Sequence, residues 1–197
     1  MDTMKIIEKL LSDNSGLLRT VDAVKAGLSR TTLGLLVKSG RLERIAQGQY
    51  IRPGDMPDEL YLLQRRSDKI IFSHETALFL HDMAERTPLQ HSLTIPSRDK
   101  LSPSSAYGCK VYYVKFDLHG LGRCAVRSKM GHEVTAYDAE RTICDILRSR
   151  GRIGSQTFAA AMKNYAARKA QNWSKLREYA EAFQVTKLLR QYLEVLL

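Results

Sequence analysis

The sequence predicts an α+β protein: an N-terminal winged helix-turn-helix domain followed by a mixed α/β C-terminal domain ending in a helical tail. Three observations predict it. Residues Thr20 to Pro53, TVDAVKAGLSRTTLGLLVKSGRLERIAQGQYIRP, read as a short helix, a glycine turn, a second helix and a basic two-stranded ribbon. Short apolar runs at Ile70-Ile71-Phe72, Leu93-Thr94-Ile95 and Lys110-Val111-Tyr112-Tyr113-Val114 alternate with helical segments. From Gln156 onward, apolar residues recur every three or four positions.

The first helix is expected over roughly Thr3 to Leu11, with Ile6, Ile7, Leu10 and Leu11 as its core stripe. Asp13-Asn14-Ser15-Gly16 is a turn signature, and Leu17-Leu18 suits a short strand beside the ribbon. Thr20 can cap the next helix, whose apolar side would be Val21, Ala23 and Val24. Gly27 suits the left-handed residue that ends a helix, and Leu28 would fill the angle between the two helices. Ser29 can cap a second helix from about Arg30 to Ser39, stopped at Gly40. Leu33, Leu36 and Val37 fall on its core face; Thr31, Gly34, Leu35 and Lys38 fall opposite. Arg30 lies near the N-terminal end, where recognition helices touch base edges. An arginine there can pair twice with guanine, and Thr31 or Leu35 can meet a thymine methyl. Leu42, Arg44, Gly48, Tyr50 and Arg52 mark the ribbon, with Gln47 and Gln49 at its tip, where a wing would meet phosphate or the minor groove.

The expected boundaries are 1–54 for the helix-turn-helix domain, 55–68 for a connector with a short helix, and 69–197 for the second domain. In that domain Ser73 would cap a helix over HETALFLHDM, residues 123–135 would add one or two strands, and Thr135 or Asp138 would start a helix with Ile143, Ile146 and Leu147 inward. The tail stripes are Phe158, Met162, Tyr165; Trp173, Leu176, Tyr179, Phe183; and Leu188, Leu189, Tyr192, Leu196.

At 197 residues, 44% hydrophobic and 26% charged, the chain has the composition of an ordinary soluble globule. No apolar run approaches the roughly 20 residues of a membrane span, and the N-terminus lacks a secretion signal, which makes the cytoplasm the expected location. The net charge of +10 is uneven: nine Lys/Arg against five Asp/Glu in residues 1–53, fourteen against thirteen in 54–151, and eight against three in 152–197. Both ends can therefore attract a polyanion. Cys109, Cys124 and Cys144 are odd in number and lack disulfide or metal spacing; they are expected reduced and buried.

Catalytic sets are missing. His74 and His81 are seven apart on one helix, so their rings would sit roughly 10 Å apart, too far for one zinc. There is no His-Glu-x-x-His, P-loop or Gly-x-Ser-x-Gly. His74 is expected to pack near its helix start. Asp138, Glu140 and Arg141 read as groups capping and charging a helix N-terminus. His132, Glu133 and Asp145 read as surface or capping groups. The expectation is no enzyme, no cofactor, no metal and no catalytic residue.

The N-terminal pattern, the segment from Phe72 to His81 (FSHETALFLH) and the segment from Asp138 to Leu147 (DAERTICDIL) together resemble the AbiEi-type antitoxins of bacterial type IV toxin–antitoxin systems, which act in abortive infection as phage defence. The resemblance spans nearly the whole chain and rests on the order and spacing of these motifs. It implies a transcriptional repressor that autoregulates its operon by binding inverted repeats of its own promoter as double-stranded DNA. It also implies a C-terminal antitoxin domain that opposes a nucleotidyltransferase-like toxin without a stable complex. Carried onto this chain, the DNA-reading residues would be Ser29, Arg30, Thr31, Thr32 and Lys38, with Arg44, Gln47 and Gln49 from the wing. Arg19 and Arg41 would meet phosphates, with Thr20 also in the interface. Lys163, Arg168, Lys169, Lys175 and Arg177 of the tail are the proposed antitoxin surface. No membrane partner is expected, and copies would associate on repeated half-sites. The rival reading is an RNA-binding or protein-adaptor module using the basic C-terminal helices; Tyr165, Trp173 and Tyr179 fall at spacings that bury them, unlike a base-stacking platform.

Overall fold

Turn chemistry divides the N-terminal sequence into its elements. The computed structural model describes residues 3–84 and 86–196, with side chains through 193; the expected core position Leu196 lies outside the described side chains. The chain separates into two units, residues 1–62 and 63–197.

In the first unit, α1 (Thr3–Asp13) buries Ile7 and Leu11 and ends where Asn14 donates both its backbone and side-chain N–H to the Leu10 carbonyl. Strand β1 (Leu18–Arg19) leads into α2 (Thr20–Lys25). Gly27, at φ +88°, takes the left-handed conformation that turns the chain, and Leu28 folds back to donate to the Ala23 carbonyl. Helix α3 (Arg30–Lys38) follows. Strands β2 (Glu43–Ala46) and β3 (Gln49–Ile51) form a hairpin through Gln47-Gly48, and β3 lies between β1 and β2 in an antiparallel sheet. Ile7, Leu11, Leu18, Ala23, Leu28, Leu33, Leu42 and Tyr50 make one core. This order of three helices, short strand and hairpin is the topology of a winged helix-turn-helix.

Two expectations fail here. Val21 and Val24 of α2 are exposed, and only Ala23 is buried, because a six-residue helix offers the core less than two turns. Thr20 is the first helical residue rather than the cap; Arg19 occupies the cap position with no side-chain capping bond.

Asp58 accepts the N–H groups of Leu60 (3.1 Å) and Tyr61 (3.2 Å) and so starts α4 (Glu59–Gln64), within which the division between units falls.

The second unit contains β4 (Ile71–Phe72), α5 (His74–Leu80), β5 (His91–Pro96), α6 (Pro103–Ala106), β6 (Cys109–Val114), α7 (Phe116–His119), β7 (Arg123–Arg127), β8 (Glu133–Tyr137) and α8 (Ala139–Arg148). A 3₁₀ turn (Arg150–Arg152) precedes α9 (Ser155–Ala166), α10 (Trp173–Ala182) and α11 (Thr186–Leu196). The sheet order is β6-β5-β4-β8-β7; β5/β6 and β4/β8 are parallel, β4/β5 and β7/β8 antiparallel. The edge strand β7 presents Arg123 and Arg127 to solvent, which discourages pairing with another strand. Gln64 closes the β8 end by accepting from the Thr135 N–H (2.7 Å) and donating to the Thr135 (3.3 Å) and Ile70 (3.2 Å) carbonyls.

Helix α8 is the buried axis of this unit. Helices α5, α9, α10 and α11 all pack on it, and every residue from Ala139 to Leu147 is buried. The polar members find partners inside, as burial demands. Arg141 pairs with Asp145 (3.1 Å) and donates to the Leu118 and Leu121 carbonyls at 2.9 and 2.7 Å. Glu140 accepts from the Tyr165 hydroxyl and the Asn172 N–H, both at 3.1 Å. The expectation that Glu140, Arg141 and Asp145 are surface or capping groups is corrected: only Asp138 caps, accepting from the Arg141 N–H at 2.8 Å. The reason is tertiary, since the helical tail covers the face that an isolated helix would leave to water. Cys144 is buried, but Cys109 and Cys124 are only half-buried; all three are free. No described helix is long and apolar enough to cross a membrane.

Candidate nucleic-acid interface

Helix α3 is built to leave one face uncovered. Ser29 caps it by accepting from the Thr32 N–H (3.0 Å), and the two hydroxyls bond each other at 2.8 Å. Leu33 is wholly buried, which stabilises the unit by about 1.5–3 kcal/mol, and Leu36 and Val37 are half-buried beside it. Arg30, Thr31, Gly34, Leu35 and Lys38 all face solvent. Leu35 is 61% exposed. Among the described residues Arg30 and Lys38 make no ion pair, so their charges are available to a ligand.

Around this helix, Arg41 and Gln47 are exposed, and Arg44 is exposed with its Nε 3.4 Å from the Ala46 carbonyl. Lys25, exposed in the last turn of α2, is a further cation whose only mark in the sequence is its place at the end of the first helix of the motif. Exposed cations thus stand on α3, directly after it and on the hairpin. Guanidinium and ammonium groups free of local counterions suit phosphate, and an exposed helix N-terminus led by arginine suits base edges.

Three predicted residues are placed differently. Gln49 is 5% exposed and donates to the Leu62 carbonyl at 3.2 Å. It directly follows the Gln47-Gly48 turn, as expected, but its side chain is turned inward and is not available to a ligand. Arg19 is held by Asp22 at 2.7 and 3.0 Å, which takes up its charge locally. Thr32 is half-buried and spends its hydroxyl on the cap with Ser29. Ser29 itself remains exposed, and Thr20 is half-buried.

The proposed tail surface is also divided. Lys163, Lys169 and Arg177 are exposed without partners among the described residues. Arg168 instead donates to the His81 carbonyl (2.6 Å), and Lys175 pairs with Asp138 (2.7 Å), whose hydrogen bond raises the ammonium pKa. Both are ties between elements of the fold, formed because α9 and α10 pack over α8. Tyr165 and Tyr179 are buried and Trp173 half-buried, so the tail aromatics form no stacking platform. Among the described residues no group of His, Cys, Asp and Glu has the arrangement of a metal site.

These features give the first unit three helices, a three-stranded antiparallel sheet and an exposed face of α3 that carries Arg30 and Lys38. Residues 5–53 match the family model described as transcriptional regulator, AbiEi antitoxin. The whole chain is similar in fold to the RV2827C protein of Mycobacterium tuberculosis, known as a crystal structure, with a TM-score of 0.57 at 13% identity over 98% of this chain and 80% of that one. No curated protein matches the chain.

Proposed function

We propose that this protein is a sequence-specific DNA-binding repressor of its own operon and the antitoxin of a toxin–antitoxin pair. The single observation that carries the reading is the uncovered face of α3, where Arg30 and Lys38 stand unpaired beside exposed Leu35 on a segment matched by a transcriptional-regulator family. In this reading Arg30, Thr31 and Leu35 meet base edges, while Lys25, Lys38, Arg41 and Arg44 meet phosphates. One such helix contacts few base pairs, so repression would use two copies on inverted repeats of the promoter. The second unit would oppose a nucleotidyltransferase-like toxin without forming a stable complex with it, as a type IV antitoxin in phage defence, with Lys163, Lys169 and Arg177 as its free basic surface. The protein would act in the cytoplasm, by binding rather than catalysis.

The test is fluorescence anisotropy with the full chain, comparing duplex from upstream of its own gene with scrambled duplex of equal length. Tighter binding to the upstream duplex is expected. Equal affinity at every salt concentration overturns the reading.

A further inference from the structure

The second unit contains a cleft of about 310 Å³ that the DNA-binding reading does not use. Its working walls are His74, Tyr112, Tyr113, Arg148, Ser149 and Arg152, brought together from α5, β6, the end of α8 and the 3₁₀ turn. The volume is that of a small-molecule site.

Its construction is unusual in three respects. His74 holds a left-handed backbone, φ +46°, which a non-glycine residue adopts only when its surroundings impose it. Its ring is fixed on every side: Nδ1 lies 2.9 Å from the Ser73 hydroxyl, Nε2 lies 2.9 Å from the Ser149 hydroxyl, and the ring stacks on Tyr112 at 3.5 Å between centres. The Arg152 guanidinium lies 4.5 Å from the Tyr112 ring centre. The Tyr112 phenol is therefore locked in place, yet its hydroxyl is buried in a residue only 4% exposed and has no hydrogen-bond partner among the described residues. A buried, immobilised donor left unused marks a place where another acceptor belongs.

The charge at the cleft is of one dominant sign. Arg148 shares Asp145 (3.3 Å) with the buried Arg141, so a single carboxylate faces two guanidiniums. Arg152 is exposed and makes no ion pair among the described residues. The nearby Lys110 and Glu75 lie 3.4 Å apart and balance each other. Two forked guanidiniums and convergent hydroxyls are the donor set that recognises a phosphate. The volume exceeds what one phosphate fills, which leaves room for the organic group that carries it.

We propose that this cleft binds an organic phosphomonoester of nucleotide size, with Arg148, Arg152 and the Tyr112 hydroxyl on the phosphate. The phosphomonoester can belong to a free nucleotide or to a 5′-phosphorylated strand end. The site is independent of α3 and stands whether or not the first unit reads DNA.

The test is calorimetric titration of the full chain with inorganic phosphate, adenosine, AMP, GMP, ATP, GTP and a short single-stranded oligonucleotide with and without a 5′-phosphate. Nucleotides are expected to bind more tightly than phosphate, and adenosine not to bind. Arg152→Ala should weaken nucleotide binding about tenfold or more, the loss expected for a charge-assisted hydrogen bond. Tyr112→Phe should weaken it while leaving the circular dichroism spectrum and melting temperature unchanged. Preference for the phosphorylated oligonucleotide over mononucleotides, lost in Arg152→Ala, keeps the site and assigns the strand end as its source. No heat from any phosphorylated probe at millimolar concentration, or binding indifferent to both Arg152→Ala and Tyr112→Phe, overturns the proposal.

Discussion

Helices α3 and α8 begin alike and end in opposite environments. Each opens on a polar cap, Ser29 accepting from the Thr32 N–H and Asp138 accepting from the Arg141 N–H. Each carries an arginine in its first turn, Arg30 and Arg141. Arg30 stands in solvent without a partner among the described residues. Arg141 is 0% exposed, paired with Asp145, and sandwiched between the rings of Tyr137 (3.9 Å) and Phe183 (4.0 Å). The difference teaches that an arginine in the first turn of a capped helix carries no intrinsic role. One packed surface on α3 leaves its charge for a ligand, whereas helices on several sides of α8 turn its charge into a structural joint.

The largest expected effect tests the buried member. Arg141→Ala would leave the Asp145 carboxylate facing the interior with only Arg148, release the Leu118 and Leu121 carbonyls, and cost about 3–5 kcal/mol of stability in the second unit. Urea unfolding would measure it; a loss within the ordinary surface range would deny Arg141 its structural role.

The exposed member should behave conversely. Arg30→Ala should lower discrimination between the upstream duplex and single-base variants by about 1–3 kcal/mol, through loss of a bidentate base contact. Its unfolding midpoint should stay that of the parent. A stability loss with unchanged discrimination would reverse the comparison.

Protonation provides a subtler probe of the same contrast. Burial, reinforced by the Arg148, Arg141, Arg152 and Lys110 charges, holds the His74 pKa well below the ordinary histidine value, and burial lowers His81 and His119 too. Above pH 6.5 these imidazoles are neutral folded or unfolded and contribute no pH dependence. As pH falls below 6.5, the unfolded chain takes up protons that the folded one refuses, so stability falls, by up to about 1.4 kcal/mol per pH unit for His74. Unfolding between pH 7 and 5 should show this slope, and His74→Gln should flatten it. A slope unchanged by that substitution would mean that His74 is protonated in the fold.

The smallest effect is at Arg41. Arg41→Ala should weaken every duplex alike and reduce the salt dependence of binding by about one unit of slope. An unaltered slope in anisotropy titrations would remove Arg41 from the interface.

Much of the first unit was legible because its determinants are local. The Gly27 turn, the Ser29 cap, the single core stripe through Leu33 and the Gln47-Gly48 hairpin each depend on neighbours a few residues away. Gln49 flanks the hairpin turn as its spacing predicts, yet its side chain is buried by a contact with the Leu62 carbonyl, thirteen residues further along the chain. Val21 and Val24 looked like core residues because their spacing is that of a buried helix, yet α2 is too short to bury them. In the second unit the order of strands and helices could be read, but their polar residues could not. By spacing alone Glu140, Arg141, Asp145, Arg168 and Lys175 read as surface or capping groups, and each instead has a partner from a distant segment or a neighbouring turn of a covered helix.

By itself, then, the sequence determined the Ser29 and Asp138 caps, the turns and the basic ends, because these follow from backbone conformation and side-chain spacing along one stretch of chain. Only the tertiary structure decided which charges meet water and which meet each other. A charged side chain becomes buried when elements far apart in sequence close over it, and nothing within its own helix records that closure.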